Sequence, residues 1–246
     1  MFRTPLLLAA SASISSGAII YSESFDTDAS GVQPISAKGW EGKRSTAPAV
    51  VGDPPGITDT IHNSGTYRAG TVGGVSGSLD DYLFAQIQNG TVKEDYFLYT
   101  TTTVTSFKPR DYTTLTATWS RNGEAVDAYH LTVKVGNNWY ASDTSYTTSA
   151  AGQGATPAFN LLTATWKNVL TEGTLQIGTE SETYSTLFAG GAAISGIGFY
   201  IDGLSVNSSA NRTIRLDNIV IDAVPEPSAA LLSIFGLTAL IRRRER

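Results

Sequence analysis

The chain has 246 residues, no cysteine, two histidines and a formal net charge of −5. Without cysteine there is no thiolate catalysis, Cys-ligated zinc or disulfide, and a chain of this length buries enough apolar surface to fold without such staples. Five of the 17 basic residues sit at the ends (Arg3, Arg242, Arg243, Arg244 and Arg246), so residues 19–224 hold 12 basic and 20 acidic residues, a balance that does not suit a nucleic-acid partner.

Residues 1–18 open with a small positive region at Arg3, then an apolar stretch over residues 6–14, then the small residues Ser16, Gly17 and Ala18. That order predicts a signal peptide removed by signal peptidase, with cleavage after Ala18. The body, 19–224, contains no helical periodicity of useful length; its Thr, Ser, Gly, Tyr and Val favour pleated strands. The first predicted strand runs from Ile20 to Asp26. Turn clusters follow at residues 51–56, 121–123, 136–138 and 152–154. The glycine-rich stretch 70–77 lacks the lysine and following helix that phosphate binding needs, and reads as a loop.

Period-2 runs then dominate. Leu115, Ala117 and Trp119 alternate with threonines, and Tyr129, Leu131, Val133 and Val135 alternate with His130, Thr132 and Lys134. Ile197, Phe199 and Ile201 do the same. Each run places one apolar face inward and the other toward water. The segment Leu115-Thr116-Ala117-Thr118-Trp119 recurs as Leu162-Thr163-Ala164-Thr165-Trp166, as strands in facing or adjacent positions of one sandwich would. The last predicted strand covers residues 213–222; its apolar parity shifts from Ile214 and Leu216 to Ile219 and Ile221, which calls for a bulge near Asp217 and Asn218. Short strands separated by turn signals predict an all-β, antiparallel β-sandwich of jelly-roll or concanavalin-like type as a single domain.

Chemistry is sparse. His62 and His130 show no zinc-ligand spacing, and no nucleophile elbow or phosphate loop occurs. The adjacent pairs Asp80-Asp81 and Glu94-Asp95 point to opposite faces of an extended chain. Glu180 and Glu182 would share a face if extended, but the polar segment 178–183 reads as a hairpin turn. No catalytic residue is therefore assigned. Among the aromatics, Trp119 and Trp166 belong to the core by parity. Trp139 and Tyr140 are consecutive, so in a regular strand one ring points each way; an outward ring is a candidate sugar platform, against the alternative, favoured for aromatics in such cores, of interior packing.

Beyond residue 224, Pro225-Glu226-Pro227 stops the domain. Thirteen uncharged apolar residues, 229–241, lead to Arg242, Arg243 and Arg244. As a helix that run spans about 20 Å against about 30 Å of hydrocarbon, a short membrane segment with its arginines on the cytoplasmic side. Together the motif, apolar run and terminal arginine cluster of 225–246 resemble the PEP-CTERM sorting segment of Gram-negative bacteria. The resemblance implies an exosortase as processing partner, transient membrane anchoring, and delivery to the cell surface or an exopolysaccharide matrix.

The opening Glu23-Ser24-Phe25-Asp26 and the closing 216–222 further resemble jelly-roll domains that precede such tails and, more loosely, carbohydrate-binding jelly rolls. That likeness implies pairing of the first and last strands. It also implies a structural calcium between them, with Glu23 and Asp217 as ligands and Asp26 and Asp222 nearby; no other cofactor is expected. The reading is an exported, non-enzymatic surface or matrix protein, with polysaccharide as a candidate partner. A secreted glycan hydrolase or lyase on the same fold is the alternative.

Overall fold

The computed structural model describes residues 17–25, 31–33, 35–45, 67–73, 82–87, 94–101, 106–123, 126–147, 154–155, 158–204 and 212–226. Most of the signal segment and of the sorting tail, with Asp26, His62, Asp80, Asp81, Pro227, Arg242, Arg243 and Arg244, lies outside them.

The strands in chain order are β1 (Ala18–Glu23), β2 (Gly31–Gln33), β3 (Trp40–Arg44), β4 (Tyr67–Gly73), β5 (Tyr82–Ile87), β6 (Glu94–Thr100), β7 (Tyr112–Gly123), β8 (Val126–Val135), β9 (Asn138–Ser142), β10 (Gly154–Ala155), β11 (Phe159–Asn160), β12 (Thr165–Leu170), β13 (Gln176–Thr183), β14 (Ile194–Leu204) and β15 (Arg212–Pro225). The α-helix among the described residues is a single turn, Tyr184–Leu187, capped by the Thr183 side chain. No described helix is long and apolar enough to cross a membrane.

Two antiparallel sheets form. One has eight strands in the order β10-β7-β15-β5-β4-β2, with β1 also on β15 and β11 also on β7; the other has seven, in the order β13-β12-β9-β8-β14-β6-β3. The chain crosses between them repeatedly, in the manner of a jelly-roll sandwich. Between the sheets, Leu115, Ala117 and Trp119 of β7 and Ile214, Leu216, Ile219 and Ile221 of β15 meet Tyr129, Leu131 and Val133 of β8 and Ile197, Phe199 and Ile201 of β14. These are the residues that period-2 alternation turns to one side. The first copy of the repeated pentapeptide lies wholly in β7, whereas the second is a turn at residues 162–163 that enters β12 of the facing sheet only at Thr165 and Trp166; Trp119 and Trp166 both point into the interior.

β1 and β15 pair antiparallel, with Glu23 opposite Ile219 and Ile19 opposite Asp222. β15 carries the expected bulge: its register against β7 shifts between Asp217 and Val220, and Asn218 adopts φ 48°. The kink divides the work of the strand. Its first half pairs with β5 and its second half with β1, while β7 follows it along the other side. The strand continues to Pro225, opposite Tyr112, and Glu226 N–H still donates to Asp111 O.

Two readings are corrected. Residues 178–183 are extended, not a turn: β13 is an edge strand paired on one side with β12. An edge strand tolerates exposed polar residues on both faces, so apolar alternation is not needed there. The glycines of residues 70–73 likewise belong to a strand, β4, held between β2 and β5.

Candidate functional site

A sandwich with one wet face per sheet should turn polar residues outward. The outer face of the seven-stranded sheet does not. Phe97, Trp139, Ala141, Val169, Leu175 and Tyr200 form a second buried cluster there, with Tyr99 and Ile177 packed on it. Register explains the gathering. Phe97 lies opposite Tyr200, Tyr99 opposite Gly198, and Trp139 opposite both Lys134 and Val169, which in turn faces Ile177. Two glycines of β14 make room. A Cβ at Gly196 would lie 2.7 Å from the Trp139 ring, and one at Gly198 would lie 2.5 Å from the Leu98 carbonyl oxygen. The Trp139 ring thus rests on bare backbone.

The rings fix one another. Phe97 and Tyr99 stack at 4.7 Å, and Trp139 meets Phe97 edge-on at 5.2 Å and Tyr99 at 5.4 Å. The Lys134 ammonium stands 6.0 Å from the Trp139 ring centre, within reach of a cation–π attraction. Tyr99 is half-buried, and its hydroxyl donates to Glu41 Oε2 at 2.8 Å.

At one end of this face lies a cleft of about 460 Å³. The β8–β9 turn, with Gly136 at φ 60°, supplies Asn137 and Asn138; the end of β12 and the hairpin beyond it supply Asn168, Val169, Leu170, Thr171 and Glu172. Trp139 forms part of its wall. Most pockets for small apolar molecules are lined by hydrophobic side chains with a few polar groups. This cleft offers three carboxamides, a hydroxyl and a carboxylate beside one indole, the complement of a ligand that is itself polyhydroxylated.

Farther along the face, polar groups are tied into networks. Tyr200 hydroxyl donates to Asp95 Oδ2 at 2.6 Å and Gly203 N–H donates to Asp95 Oδ1 at 2.7 Å. Burial, and then the Asp95 charge, push the Tyr200 hydroxyl far above the usual phenol range. His130 sits beside it, ring centres 6.4 Å apart, with Nδ1 2.6 Å from the Ser142 carbonyl oxygen. Burial lowers the His130 imidazole below its ordinary value, outweighing the Ser142 bond and the Asp202 charge. Lys167 pairs with Asp143 at 2.9 Å. Burial pushes the Asp143 carboxyl up, but bonds from Thr165, Ser181 and Lys167 together hold it below the usual range.

Of the two consecutive aromatics, Trp139 is the one on the outer face, yet only 8% exposed; Tyr140 is half-buried against the interior cluster. Trp119 and Trp166 are in the core as their parity requires. The terminal strands bring Glu23 and Asp217 to the same region, where each carboxylate already has a local partner. Glu23 Oε1 accepts the Phe25 N–H at 2.8 Å, and the two Asp217 oxygens accept Asn218 N–H and Nδ2 at 2.6 and 2.7 Å. Among the described residues no group of three or more His, Asp or Glu side chains is placed to hold a metal ion. Glu180 is exposed on the edge strand, with Glu182 two residues on and partly buried. Pro225 and Glu226 are exposed at the end of β15.

The outer cluster had one signal in the sequence: Tyr96-Phe97-Leu98-Tyr99 is a continuous apolar run, the mark of a strand buried on both faces. The polar cleft had none, because its walls come from two hairpins distant in sequence.

Fold and face together define a β-sandwich domain with an aromatic-backed polar cleft on one sheet. No protein-family model matches the chain, and no curated protein matches it. Among solved structures it is similar to the family 11 carbohydrate-binding module of the cellulosomal cellulase Lic26A-Cel5E of Clostridium thermocellum, at 10% identity, over 81% of this chain and 97% of that one, with a TM-score of 0.40. It is also similar to TmCBM27, a carbohydrate-binding module that recognises mannan, at 10% identity over 85% and 98%, TM-score 0.34. A third similar structure is an exo-β-agarase, at 14% identity and TM-score 0.39; this chain spans 24% of the agarase's length. Likeness at this level carries no ligand or activity across.

Proposed function

We propose that the protein is an exported, non-catalytic domain that is held at the cell surface or in an exopolysaccharide matrix, and that it binds glycan in the cleft beside Trp139. The observation that supports the glycan reading best is the lining of that cleft, which combines Asn137, Asn138, Asn168, Thr171 and Glu172 with the indole of Trp139. Sugar hydroxyls need paired donors and acceptors, which carboxamides supply together, and the ring C–H groups suit an aromatic wall. The ring is already immobilised by Phe97 and Tyr99, so binding spends little side-chain entropy.

Export rests on the amino-terminal segment and on Pro225-Glu226-Pro227 with the arginine cluster Arg242, Arg243 and Arg244. Signal peptidase and exosortase are the proposed processing partners.

A second reading, glycan cleavage, draws on His130 and Tyr200 lying side by side with Asp95. Binding is preferred because Tyr200 is 2% exposed and its hydroxyl is committed to Asp95. A general acid or base must reach its substrate.

Affinity electrophoresis through gels containing soluble polysaccharides tests binding. Retardation should appear, and the Thr171→Ala/Asn137→Ala double variant should lose it by about tenfold or more, the worth of one or two hydrogen bonds, with unchanged thermal unfolding. New reducing ends that are released by the native chain and abolished by His130→Ala would establish the enzymatic reading instead. Mass spectrometry of exported material should find a chain that starts near Ile19 and lacks residues 229–246; an intact terminus on all surface copies would overturn the processing.

A further inference from the structure

The charge of the cleft points to the class of glycan it takes. Of the eight residues that line it, Glu172 alone is ionisable. Its carboxylate is exposed at the rim of the hairpin. None of the basic residues of the same face belongs to that lining. Lys134 lies over the Trp139 ring, and Lys167 is paired with Asp143 across the neighbouring strands. The rest of the lining is uncharged, and the whole chain carries −5.

We infer that the cleft selects uncharged glycan chains and rejects uronate- or sulfate-bearing ones, with Glu172 as the rejecting group. The inference rests on the glycan-binding reading above. An anionic sugar seated against the three carboxamides would share the cleft with the Glu172 carboxylate, and the lining itself holds no cation to offset the repulsion; Lys134 stands behind the Trp139 ring. Such repulsion is strongest at low ionic strength and fades once the Debye length falls to about 8 Å near 0.15 M salt. The negative body adds a long-range term of the same sign. Uncharged sugars meet neither obstacle, and Glu172 can accept a hydrogen bond from their hydroxyls.

The test uses the whole chain in native affinity gels at low salt, with neutral polymers (xylan, mannan, agarose) and anionic ones (alginate, polyglucuronate) in parallel. Neutral polymers should retard the native chain and anionic ones should not. Glu172→Gln should raise affinity for the anionic polymers about five- to tenfold relative to that for the neutral ones, an increase that 0.15 M salt reduces. Asp222→Asn changes the net charge equally from β15 of the other sheet, where Asp222 is exposed, so it separates the local repulsion from the global field; it should leave both series within about twofold. Two results would overturn the selectivity while leaving glycan binding standing: retardation of the native chain by alginate or polyglucuronate as strong as by a neutral polymer, or an equal response to Glu172→Gln and Asp222→Asn. If neither class retards the chain, and neither perturbs its tryptophan fluorescence, glycan binding fails with it.

Discussion

Gly198 marks how tightly the outer face is built. A Cβ there would lie 2.5 Å from the Leu98 carbonyl oxygen and 2.6 Å from Thr132 Oγ1, distances that a side chain does not tolerate. Its backbone is ordinary strand, so the requirement is one of space and not of φ. Gly198→Ala should lower stability by about 1–3 kcal/mol, the usual effect of overfilling a packed site, and urea unfolding should show a lower midpoint at unchanged slope. His130, on the strand next to that of Trp139, carries a different signature. Burial, its main influence, lowers the imidazole below its ordinary value of about 6.5, against the raising effects of Ser142, Asp202 and Asp143. The unfolded chain therefore binds a proton more readily than the folded one. The stabilising contribution is whole above that ordinary value and is lost as pH falls from it toward the folded value. Unfolding free energy should decline in that interval for the native chain, and His130→Gln should flatten the decline.

Among elements, β15 carries the most structure per residue. Asn218 takes φ 48° so that Ile214 and Leu216 before the bulge, and Ile219 and Ile221 after it, all face the core. Asp217 is 4% exposed and fastens the turn through Asn218. Asn218→Gly should stay within about 1 kcal/mol of the native chain, whereas Asn218→Val, a β-branched residue in the left-handed region, should lose about 1–3 kcal/mol in thermal or urea unfolding. This bulge was legible in the sequence because a parity shift of apolar residues has few other causes. The inward faces of β7, β8 and β14 were legible by plain alternation. Elements whose neighbours decide their burial were not. β13 looks like a turn because Thr179, Glu180, Ser181 and Glu182 contain no apolar partner for the core, and only its bonds to β12 make it a strand. Trp139 and Val169 look solvent-facing by parity, yet each is buried by rings and side chains of other strands. The cleft depends on two hairpins, distant in sequence, that are brought together by the pairing of β9 with β12, so no local pattern announces it.

For the whole molecule, the first described strand binds the two sheets together as well as extending one. Phe25 follows β1 in the eight-stranded sheet, is fully buried, and meets Trp40 of the seven-stranded sheet edge-on at 5.5 Å. Glu23 holds its N–H, which fixes Phe25 at φ 54°. Phe25→Ala should cost about 3–5 kcal/mol in equilibrium unfolding, the range for deleting a buried phenylalanine. The same arrangement means that the sandwich is completed from both ends of the chain: β15 lies between β7 on one side and β5 with β1 on the other. A load applied at Glu226 therefore runs along the axis of an interior strand. Antiparallel ladder bonds stand perpendicular to their strands, so all of those on both flanks of β15 would take the strain at once in shear, and none could be peeled open one at a time. A domain built this way is suited to being tugged by its carboxyl end while its other surface holds fast to something else.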